Sequence, residues 1–389
     1  MSKSFHSLNN HYSFKIYSSY LELPASWDEL ATENIFLTKQ YLEILEKSAP
    51  TNMECHFIGM YQNDKLIGIV LSQFIDANQL TSFGDRDKCI KSYVRNFFFK
   101  NFCSHVLFIG NNMLTGQNAF SFSANADKKT AIETLKKAAE KLQTLYKNKG
   151  KKIHITTLKD FDANEVTHFK SADFSELYQF STQPNMIFDI HENWKSEQDY
   201  IDALSKKYRD QYKRSRKRAD GIEKRKLHLE DIIHNEETIY DLYFHVAKNA
   251  PFNTFFLAKN HFRVFKEILK DSFLFYGYFK DEKLIGFNTL IKNGTTIDTY
   301  FLGYDDTIQK EKMLYLNMLY DMIAFSINKG YKKIVFARTA LEIKSSVGAK
   351  PQKMYGFIQH SNKFLNKNMP RIFQYLEPES VWKERNPFK

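Results

Sequence analysis

A short charged stretch near the end of the chain is the clearest candidate for chemistry. Arg338, Glu342 and Lys344 follow a run of apolar residues. A guanidinium can bind a carboxylate or phosphate through two parallel hydrogen bonds, and an ammonium can stabilise an oxyanion. This spacing predicts a site that holds an anionic group beside a reacting carbonyl. The alternative is an ion pair between Arg338 and Glu342 that only fixes the loop.

A second candidate is the strongly basic segment 206–226, which has eleven Lys or Arg residues and three acidic residues. The net charge of the chain is +11, so this segment holds most of it. Such a concentration predicts a surface for a phosphate-bearing substrate, an acidic carrier protein, RNA or an anionic membrane. A solvated, lysine-rich helix face is the alternative. The candidate binding residues are Tyr208, Arg209, Lys213 and Arg214.

A third candidate is the loop that begins with Gly110 and Asn111 and ends with Gly116. Two glycines and small polar residues can expose successive N–H groups as an anion-binding nest, which makes these three residues candidate ligands for the phosphates of a donor. A plain turn between strands explains the composition equally well. The cysteines and histidines lack the close spacing of metal ligands, so no metal site is expected.

The elements that would position these residues occur twice. Residues 59–68 (GMYQNDKLIG) are similar to 277–286 (GYFKDEKLIG), and both copies read as a β-hairpin with a charged turn. Further on, 148–153 (NKGKKI) is similar to 328–334 (NKGYKKI). The same order of elements in both places predicts two homologous halves.

Each half is predicted to contain an amphipathic helix and then a short strand. The helices are expected at 128–146 and 313–327, each followed by a glycine suited to a left-handed C-cap, and the strands at 153–157 and 334–337. These elements predict an α/β fold of the α+β type, in which each half is a mixed, mostly antiparallel sheet flanked by helices. The predicted domains are 1–185 and 186–389, and the second opens with a basic helical segment, 194–226.

This doubled arrangement resembles the GCN5-related N-acyltransferase (GNAT) superfamily, and in particular its double-domain branch that includes the Fem-type peptidoglycan aminoacyl transferases. Residues 200–214 (YIDALSKKYRDQYKR) are similar to the basic helix that opens the second half of these proteins. LIGFN at 284–288 ends the second hairpin. FARTALEIK at 336–344 is similar to the late strand whose following loop supplies a lysine near the substrate.

The resemblance implies direct acyl transfer to an amine in a cleft between the halves, without a tightly bound cofactor. The candidate catalytic residues are Lys344, Arg338, Asp298, Tyr304 and Tyr315, and Asn288 and Glu342 join the candidate substrate-binding residues. In this interpretation Asp298 takes the amine proton and Tyr315 returns a proton to the leaving thiolate. Core packing explains each tyrosine as well.

The donor is left open by a departure from the family pattern. After the strand predicted at 297–304 come Asp305 and Asp306, where the family has a glycine-rich turn that lets the pyrophosphate of CoA approach backbone amides. Carboxylates repel a pyrophosphate. Acyl-CoA, an acyl-carrier protein and aminoacyl-tRNA are therefore all retained as donors.

Three functions follow as hypotheses. The primary one is an N-acyltransferase that moves an acyl group from a thioester to the amine of an anionic acceptor, and an aromatic content of 15% favours a long-chain lipid acceptor. The second is a Fem-type transferase that uses aminoacyl-tRNA on a cell-wall precursor. The third is a non-catalytic protein that binds anionic lipid or nucleic acid. A cytoplasmic protein, free or peripheral on the inner face of the membrane, is expected because no run of 18 apolar residues occurs.

Overall fold

The computed structural model describes residues 12–32, 34–79, 102–171, 174, 176–249, 253–376 and 382–389. Thirteen strands within these residues form one continuous sheet. In chain order they are β1 (Tyr12–Tyr17), β2 (Met53–Gln62), β3 (Lys65–Asp76), β4 (His105–Ile109), β5 (Phe120–Phe122), β6 (Ile155–Phe161), β7 (Tyr178–Asp189), β8 (Glu223–Lys226), β9 (Phe273–Lys280), β10 (Lys283–Asn293), β11 (Thr296–Tyr304), β12 (Lys333–Ala337) and β13 (Lys350–His360).

The helices connect and cover this sheet. Those in the described ranges are α1 (Trp27–Ala31), α2 (Lys39–Ser48), α3 (Lys128–Asn148), α4 (Ala163–Ser171), α5 (Glu197–Ala203), α6 (Lys206–Arg218), α7 (Leu229–His234), α8 (Glu236–Ala247), α9 (His261–Leu269), α10 (Asp306–Lys312), α11 (Leu314–Asn328), α12 (Leu341–Ser346), α13 (Lys363–Lys367) and α14 (Met369–Leu376). None of them combines the length and apolar character needed to cross a bilayer.

The order of the strands shows how the two halves are joined. It runs β1-β2-β3-β4-β6-β13-β7-β12-β11-β10-β9-β8, and β5 pairs with β3. β7, from the first half of the chain, pairs with β12 of the second half, whereas β13, from the end of the chain, pairs with β6 of the first half. The halves have therefore exchanged strands at the centre of the sheet. The predicted boundary between residues 185 and 186 lies within β7.

Three hydrophobic cores line the sheet. One joins α3 and α4 to the outer face of the first half, and another joins α5, α6 and α11 to the outer face of the second half. The third core contains Leu71 on β3, Phe275 on β9 and Phe265 on α9, together with residues of α1, α2 and α8. This core therefore joins strands of both halves to the helices α1, α2, α8 and α9.

The predicted duplication is confirmed, and so is the fold class. The two hairpins are β2–β3 and β9–β10. Their turn residues Asn63, Asp64, Asp281 and Glu282 have φ of 48°, 63°, 49° and 58°, the left-handed pair that a type I′ hairpin turn requires. The helices predicted at 128–146 and 313–327 correspond to α3 and α11.

The glycines after α3 and α11, Gly150 and Gly330, have φ of 77° and 74°, as their predicted C-cap role requires.

One strand bound and part of the basic segment differ from the prediction. The first of the two following strands begins at Ile155, where pairing with β4 starts, and not at residue 153. The basic segment is helical in α5 and α6 only. Beyond Gly221 (φ 78°) it forms β8, an edge strand paired with β9.

Candidate active site

A V-shaped opening separates two parallel strands of the second half. β11 and β12 pair only at Thr296–Lys333, Ile297–Ile334 and Asp298–Val335, although β11 continues to Tyr304 and β12 to Ala337. The Thr299 hydroxyl donates to the Val335 carbonyl (3.0 Å) at the base of the opening. Beyond it, β11 has a strand partner only on its β10 side, so its other backbone edge is available to an extended ligand chain.

Two helices wall this opening. On the inner face α8 crosses β11 at Gly303, where a Cβ would lie 2.5 Å from the Leu242 backbone carbon, so only glycine permits this approach. On the outer face α11 packs against β10 at Gly286, where a Cβ would lie 3.0 Å from the Leu314 side chain. The space between the strands is thus a slot with two helical walls.

The equivalent place in the first half is filled. There β4 pairs in parallel with β6, and the side chain of Lys159 extends from β6 into the loop after β4. Its ammonium donates to the carbonyls of Asn111 (3.0 Å) and Leu114 (2.9 Å). A separate cavity of about 30 Å³ lies between β6 and α3, lined in part by Leu135, Ala139 and Leu158, and has room for a few water molecules at most.

The loop 110–116 uses three of its N–H groups within the protein. That of Gly110 donates to Leu71 O (2.9 Å), that of Asn112 to Gln73 Oε1 (2.6 Å) and that of Met113 to Asn111 Oδ1 (3.0 Å). What the loop presents to Lys159 is carbonyl oxygen. Gly116 adopts φ 99° and its carbonyl accepts from the Asn118 side chain (3.4 Å), as in an ordinary turn.

Where the halves meet, four charged side chains form one group, here called the central charge cluster: Lys159, Asp160, Arg338 and Lys344. The Lys159 ammonium lies 2.7 Å from Asp160 Oδ2, and Arg338 forms an ion pair with Asp160 Oδ1. Arg338 Nε also donates to Gln183 O on β7 (3.2 Å). Arg338 follows β12 and Asp160 lies on β6, so this pair crosses both exchanged strands.

The cluster has three cations and one carboxylate, all with little access to water. Asp160 is fully buried, Lys159 and Lys344 are buried, and the Arg338 side chain is 23% exposed. Burial lowers the pKa of Lys344 to about 7 and that of Arg338 to about 10, and burial together with the nearby Arg338 lowers the pKa of Lys159 well below its ordinary value. A bound anion would offset this excess of positive charge, and Arg338 gives it access.

Lys344 holds the loop that presents Arg338. Its ammonium donates to the carbonyls of Arg338 (2.5 Å) and Ala337 (3.3 Å). Ala337, Thr339 and Ala340 have φ of 59°, 65° and 47°, a conformation that costs roughly 1–2 kcal/mol for each residue with a Cβ. Lys344 is therefore a positioning residue in this structure, because its bonds stabilise a strained backbone.

Asp298 lies at the base of the opening and is 7% exposed. Its Oδ2 accepts from the Asn293 amide (3.1 Å), and Asn293 Oδ1 accepts from the Ile35 N–H of the first half (3.0 Å). Burial raises the pKa of the Asp298 carboxyl to about 7. A carboxylate with this pKa is well matched to accept a proton near neutral pH.

Tyr304 and Tyr315 are together but away from Asp298. Their ring centroids are 6.3 Å apart, and burial raises the pKa of both phenols. Tyr304 is six residues beyond Asp298 on one strand, which is roughly 20 Å at the rise of a β-strand. The two tyrosines and Asp298 therefore do not meet at one reacting carbon, and the tyrosines lie where the opening reaches the end of β11.

Both helices that follow the parallel strands begin with an aspartate cap. Asp305 Oδ1 accepts from the Thr307 N–H (2.9 Å) before α10, and Asp127 Oδ2 accepts from the Thr130 N–H (2.9 Å) before α3. At each of these two places one backbone N–H of the helix start is thus already bonded to a carboxylate, whose charge also repels a pyrophosphate.

The remaining predicted residues are scattered. Glu342 forms its ion pair with Arg385 (Nε to Oε1, 3.0 Å), so the alternative of an Arg338–Glu342 pair is wrong. Asn288 is 1% exposed on β10, and its Oδ1 has no hydrogen-bond partner among the described residues. Among the aromatic residues that could line a lipid channel, Phe262 and Phe265 pack in the core, as the favoured alternative of core packing predicts. Residues 97–99 and 252 of the same set lie outside the described residues.

In the basic segment the structure separates inward from outward residues. Tyr208 is buried in the core of the second half, and Arg209 is half-buried. Lys213 and Arg214 are exposed on α6. Sequence reasoning missed Arg216, which faces inward and is bonded to Glu197 (2.9 Å) and Asp321 (2.7 Å).

Lys159 and Asp160 were also missed. The available signal was the pair of adjacent charges that directly follows the strand-forming run ITTL. Charges on a strand that is buried on both faces are not solvated, so they need partners within the protein. Within the described ranges, no three His, Cys, Asp or Glu side chains come together as metal ligands.

The comparisons with known proteins give the class of fold. The structure is similar to that of FemX, with a TM-score of 0.53 and 10% identity over 92% of this chain and 99% of that one. It is also similar to a tandem GNAT protein from the clavulanic acid biosynthesis pathway (TM-score 0.50, 8% identity, 90% and 99% covered). A protein of unknown function from Bacteroides thetaiotaomicron has a TM-score of 0.50 at 12% identity, with 86% and 97% covered.

These likenesses establish the fold alone. The chain has a tandem GNAT-like fold of the Fem type, as its sequence motifs predicted. No protein-family model and no curated sequence matches it. The reaction must therefore be argued from the site.

Proposed function

We propose that the protein is an N-acyltransferase. It takes an acyl group from a thioester, carried by CoA or by a carrier protein, and transfers it to the amine of an acceptor that also bears an anionic group. One observation carries the proposal: the opening between β11 and β12 is bounded on the β12 side by Arg338, so a slot for an extended chain adjoins a buried, cationic cluster. The tandem GNAT-like fold supports acyl transfer as the reaction class.

The reaction needs alignment more than covalent help from the protein. The donor arm lies along the unpaired edge of β11, and the partly exposed Arg338 holds the anionic group of the acceptor. The amine nitrogen attacks the thioester carbon, so that a C–N bond forms and the C–S bond breaks. Asp298 accepts the proton that the amine loses, directly or through one water, and water returns a proton to the thiolate.

The acceptor is defined by its chemistry. A free amino acid and the head group of an amino lipid both offer an amine near an anionic group, and the cluster suits either. The high aromatic content gives no added support to the lipid, because the aromatic residues in question lie in the core.

The test measures amide formation and free thiol together. Purified protein receives an acyl thioester with glycine, with an amino lipid in micelles, or with methylamine, which lacks the anionic group. We expect amide from at least one anionic amine, at about tenfold higher kcat/KM than from methylamine. Arg338→Ala should abolish this preference, whereas Arg385→Ala, at a neighbouring exposed arginine, should keep it. Thiol release without amide, or equal use of methylamine, contradicts the proposal.

A second function is favoured by the aspartate caps. Because Asp305 and Asp127 occupy the helix starts, a donor without CoA, such as aminoacyl-tRNA in a Fem-type transfer, fits these residues as well. Ribonuclease-sensitive transfer of an amino acid from tRNA, with no use of acyl thioesters, would select this function. Binding of anionic lipid or nucleic acid without any transfer would select the non-catalytic alternative.

A further inference from the structure

The outward face of α6 is a dense row of cations. Here called the α6 basic face, it consists of Lys206, Lys207, Lys213, Arg214, Lys217 and Arg218, all of them exposed. Asp210 is the one acidic residue within α6. The helix has 13 residues and is therefore about 20 Å long.

These cations have no structural task that the described residues show. The ion pairs of this segment involve Arg216, Lys224, Arg225 and Lys226, and within the described ranges none of the six outward side chains pairs with a carboxylate. Like charges four residues apart, such as Lys213 with Lys217, destabilise a helix. Apart from Lys207, whose ammonium lies 5.3 Å from the centroid of the Tyr208 ring, these cations make no contact that would offset their mutual repulsion among the described residues, which is typical of a surface for an anionic partner.

The α6 basic face lies beside the opening. On its inner side, Gln211 donates to the Tyr320 hydroxyl on α11 (3.2 Å) and to Ser346 Oγ on α12 (3.3 Å). Just after the helix, the Asp220 carbonyl accepts from Lys312 at the junction of α10 and α11 (3.1 Å). Helix α6 thus spans the outer wall of the opening, from the β12 side to the β11 side.

The chemistry of this face distinguishes between anionic partners. RNA recognition normally adds aromatic side chains that stack on bases, but Tyr208 is buried and the Tyr212 hydroxyl is bonded to Glu197 (2.8 Å). Membrane-surface helices insert large apolar side chains, and the exposed ones of the described chain (Leu21, Leu145, Ile233, Phe244 and Phe364) all lie elsewhere. A purely ionic face of this length fits an acidic helix of a protein.

We propose that the α6 basic face is the docking surface of an acidic carrier protein whose phosphopantetheine arm bears the acyl thioester. This inference rests on the proposed function and names the form of its donor. The arm passes over α11 into the opening and lies along β11. Docking through the carrier body removes the need for a pyrophosphate cradle, which is consistent with the carboxylate of Asp305 at the start of α10.

The experiment compares two variants of equal charge. One carries Lys213→Gln, Arg214→Gln, Lys217→Gln and Arg218→Gln. The control carries Lys129→Gln, Lys137→Gln, Lys141→Gln and Lys147→Gln, four exposed lysines of α3. The probe is a purified bacterial acyl carrier protein loaded with a palmitoyl group. We expect KM for this donor to rise about tenfold in the α6 variant with kcat kept, and to stay within about twofold in the control.

A small donor separates the two proposals. S-palmitoyl-N-acetylcysteamine has the thioester without the carrier, so its turnover by the unmodified protein tests acyl transfer alone. If neither donor is turned over, the proposed function fails. If both are turned over and the α6 variant has an unchanged KM for the loaded carrier, the docking surface is wrong.

Salt and alternative probes complete the test. The difference in KM between the α6 variant and the control should shrink as ionic strength rises from low to about 0.5 M, because exposed charges are screened. If the α6 substitutions instead abolish binding of bulk tRNA or of anionic vesicles while carrier binding is unchanged, the carrier proposal is overturned.

Discussion

The two halves contain the same opening in opposite states. In the first half, β4 pairs with β6 as far as Ile109, where β4 ends, and beyond that point the Lys159 ammonium bonds to two carbonyls of the following loop. In the second half, β11 and β12 separate at Thr299, and the edge of β11 has no strand partner there. The comparison teaches that the same order of elements can leave the end of a parallel strand pair open or occupied, and that the occupying lysine also belongs to the central charge cluster.

Removing the carboxylate shared by both halves should have the largest effect. Asp160→Asn leaves Lys159 and Arg338 buried without a counter-charge, so we expect the free energy of unfolding to fall by about 3–5 kcal/mol, measured by urea denaturation. Glu342→Gln is the control, because its pair with Arg385 is largely exposed and should contribute less than about 1 kcal/mol. A loss below 1 kcal/mol for Asp160→Asn would show that the cluster does not join the halves.

Asp298, at the base of the open slot, should set the pH dependence. Asp298→Asn is expected to lower kcat/KM about 100-fold. In the unmodified protein, kcat/KM should rise with pH to a plateau above about 7, since burial raises the pKa of this carboxyl to about 7. If kcat/KM of the Asp298→Asn variant still rises with pH up to about 7, Asp298 is not the proton acceptor.

The raised pKa of Asp298 also makes the free energy of unfolding depend on pH. The Asp298 pKa is 3.8 when exposed and about 7 when folded, so between these pH values the folded state holds a proton that the unfolded chain has released. Its contribution to stability is therefore lost as pH rises from about 4 to 7. Thermal unfolding of Asp298→Asn across this window should lack that decline.

Replacing Lys159 tests whether the filled opening of the first half has a function different from that of the opening between β11 and β12. Lys159→Met keeps the slot occupied but leaves the Asn111 and Leu114 carbonyls without a donor, so we expect a loss of about 2 kcal/mol in urea denaturation. KM for the donor should not change, because the Lys159 ammonium lies in the first opening and bonds only to groups of the protein. A raised donor KM would mean that the first opening also binds the donor.

The smallest expected effect is at the base of the second opening. Thr299→Val preserves shape and removes only the hydroxyl bond to the Val335 carbonyl, which should lower the free energy of unfolding by about 0.5–1.5 kcal/mol. If the free energy of unfolding falls by more than about 3 kcal/mol, the Thr299 hydroxyl bond, and not the backbone pairing of β11 with β12, holds the two strands together at the base of the opening.

Part of the site was accessible to sequence reasoning. Arg338 and Asp298 were selected because each interrupts or directly follows an apolar strand, and Lys344 because the segment 336–344 resembles the lysine-bearing loop of the family. Asp160 was not found, because its partner Arg338 lies 178 residues away across two strands whose exchange no local pattern indicates. Lys159 was not found, because the carbonyls that it bonds lie 48 and 45 residues away on another strand's loop. For the same reason Arg338 was assigned Glu342 as its alternative partner, the nearest acid in sequence.

By itself the sequence determined the repeated elements: both hairpins with their left-handed turns, both amphipathic helices with their glycine caps, and the concentration of charge on α6. These depend on side-chain periodicity and on backbone preferences that act over a few residues. Only the tertiary structure decided which opening is filled, and that β7 and β13 change places. Both follow from pairing and charge burial between distant segments, whose energies depend on position in space and not on separation along the chain.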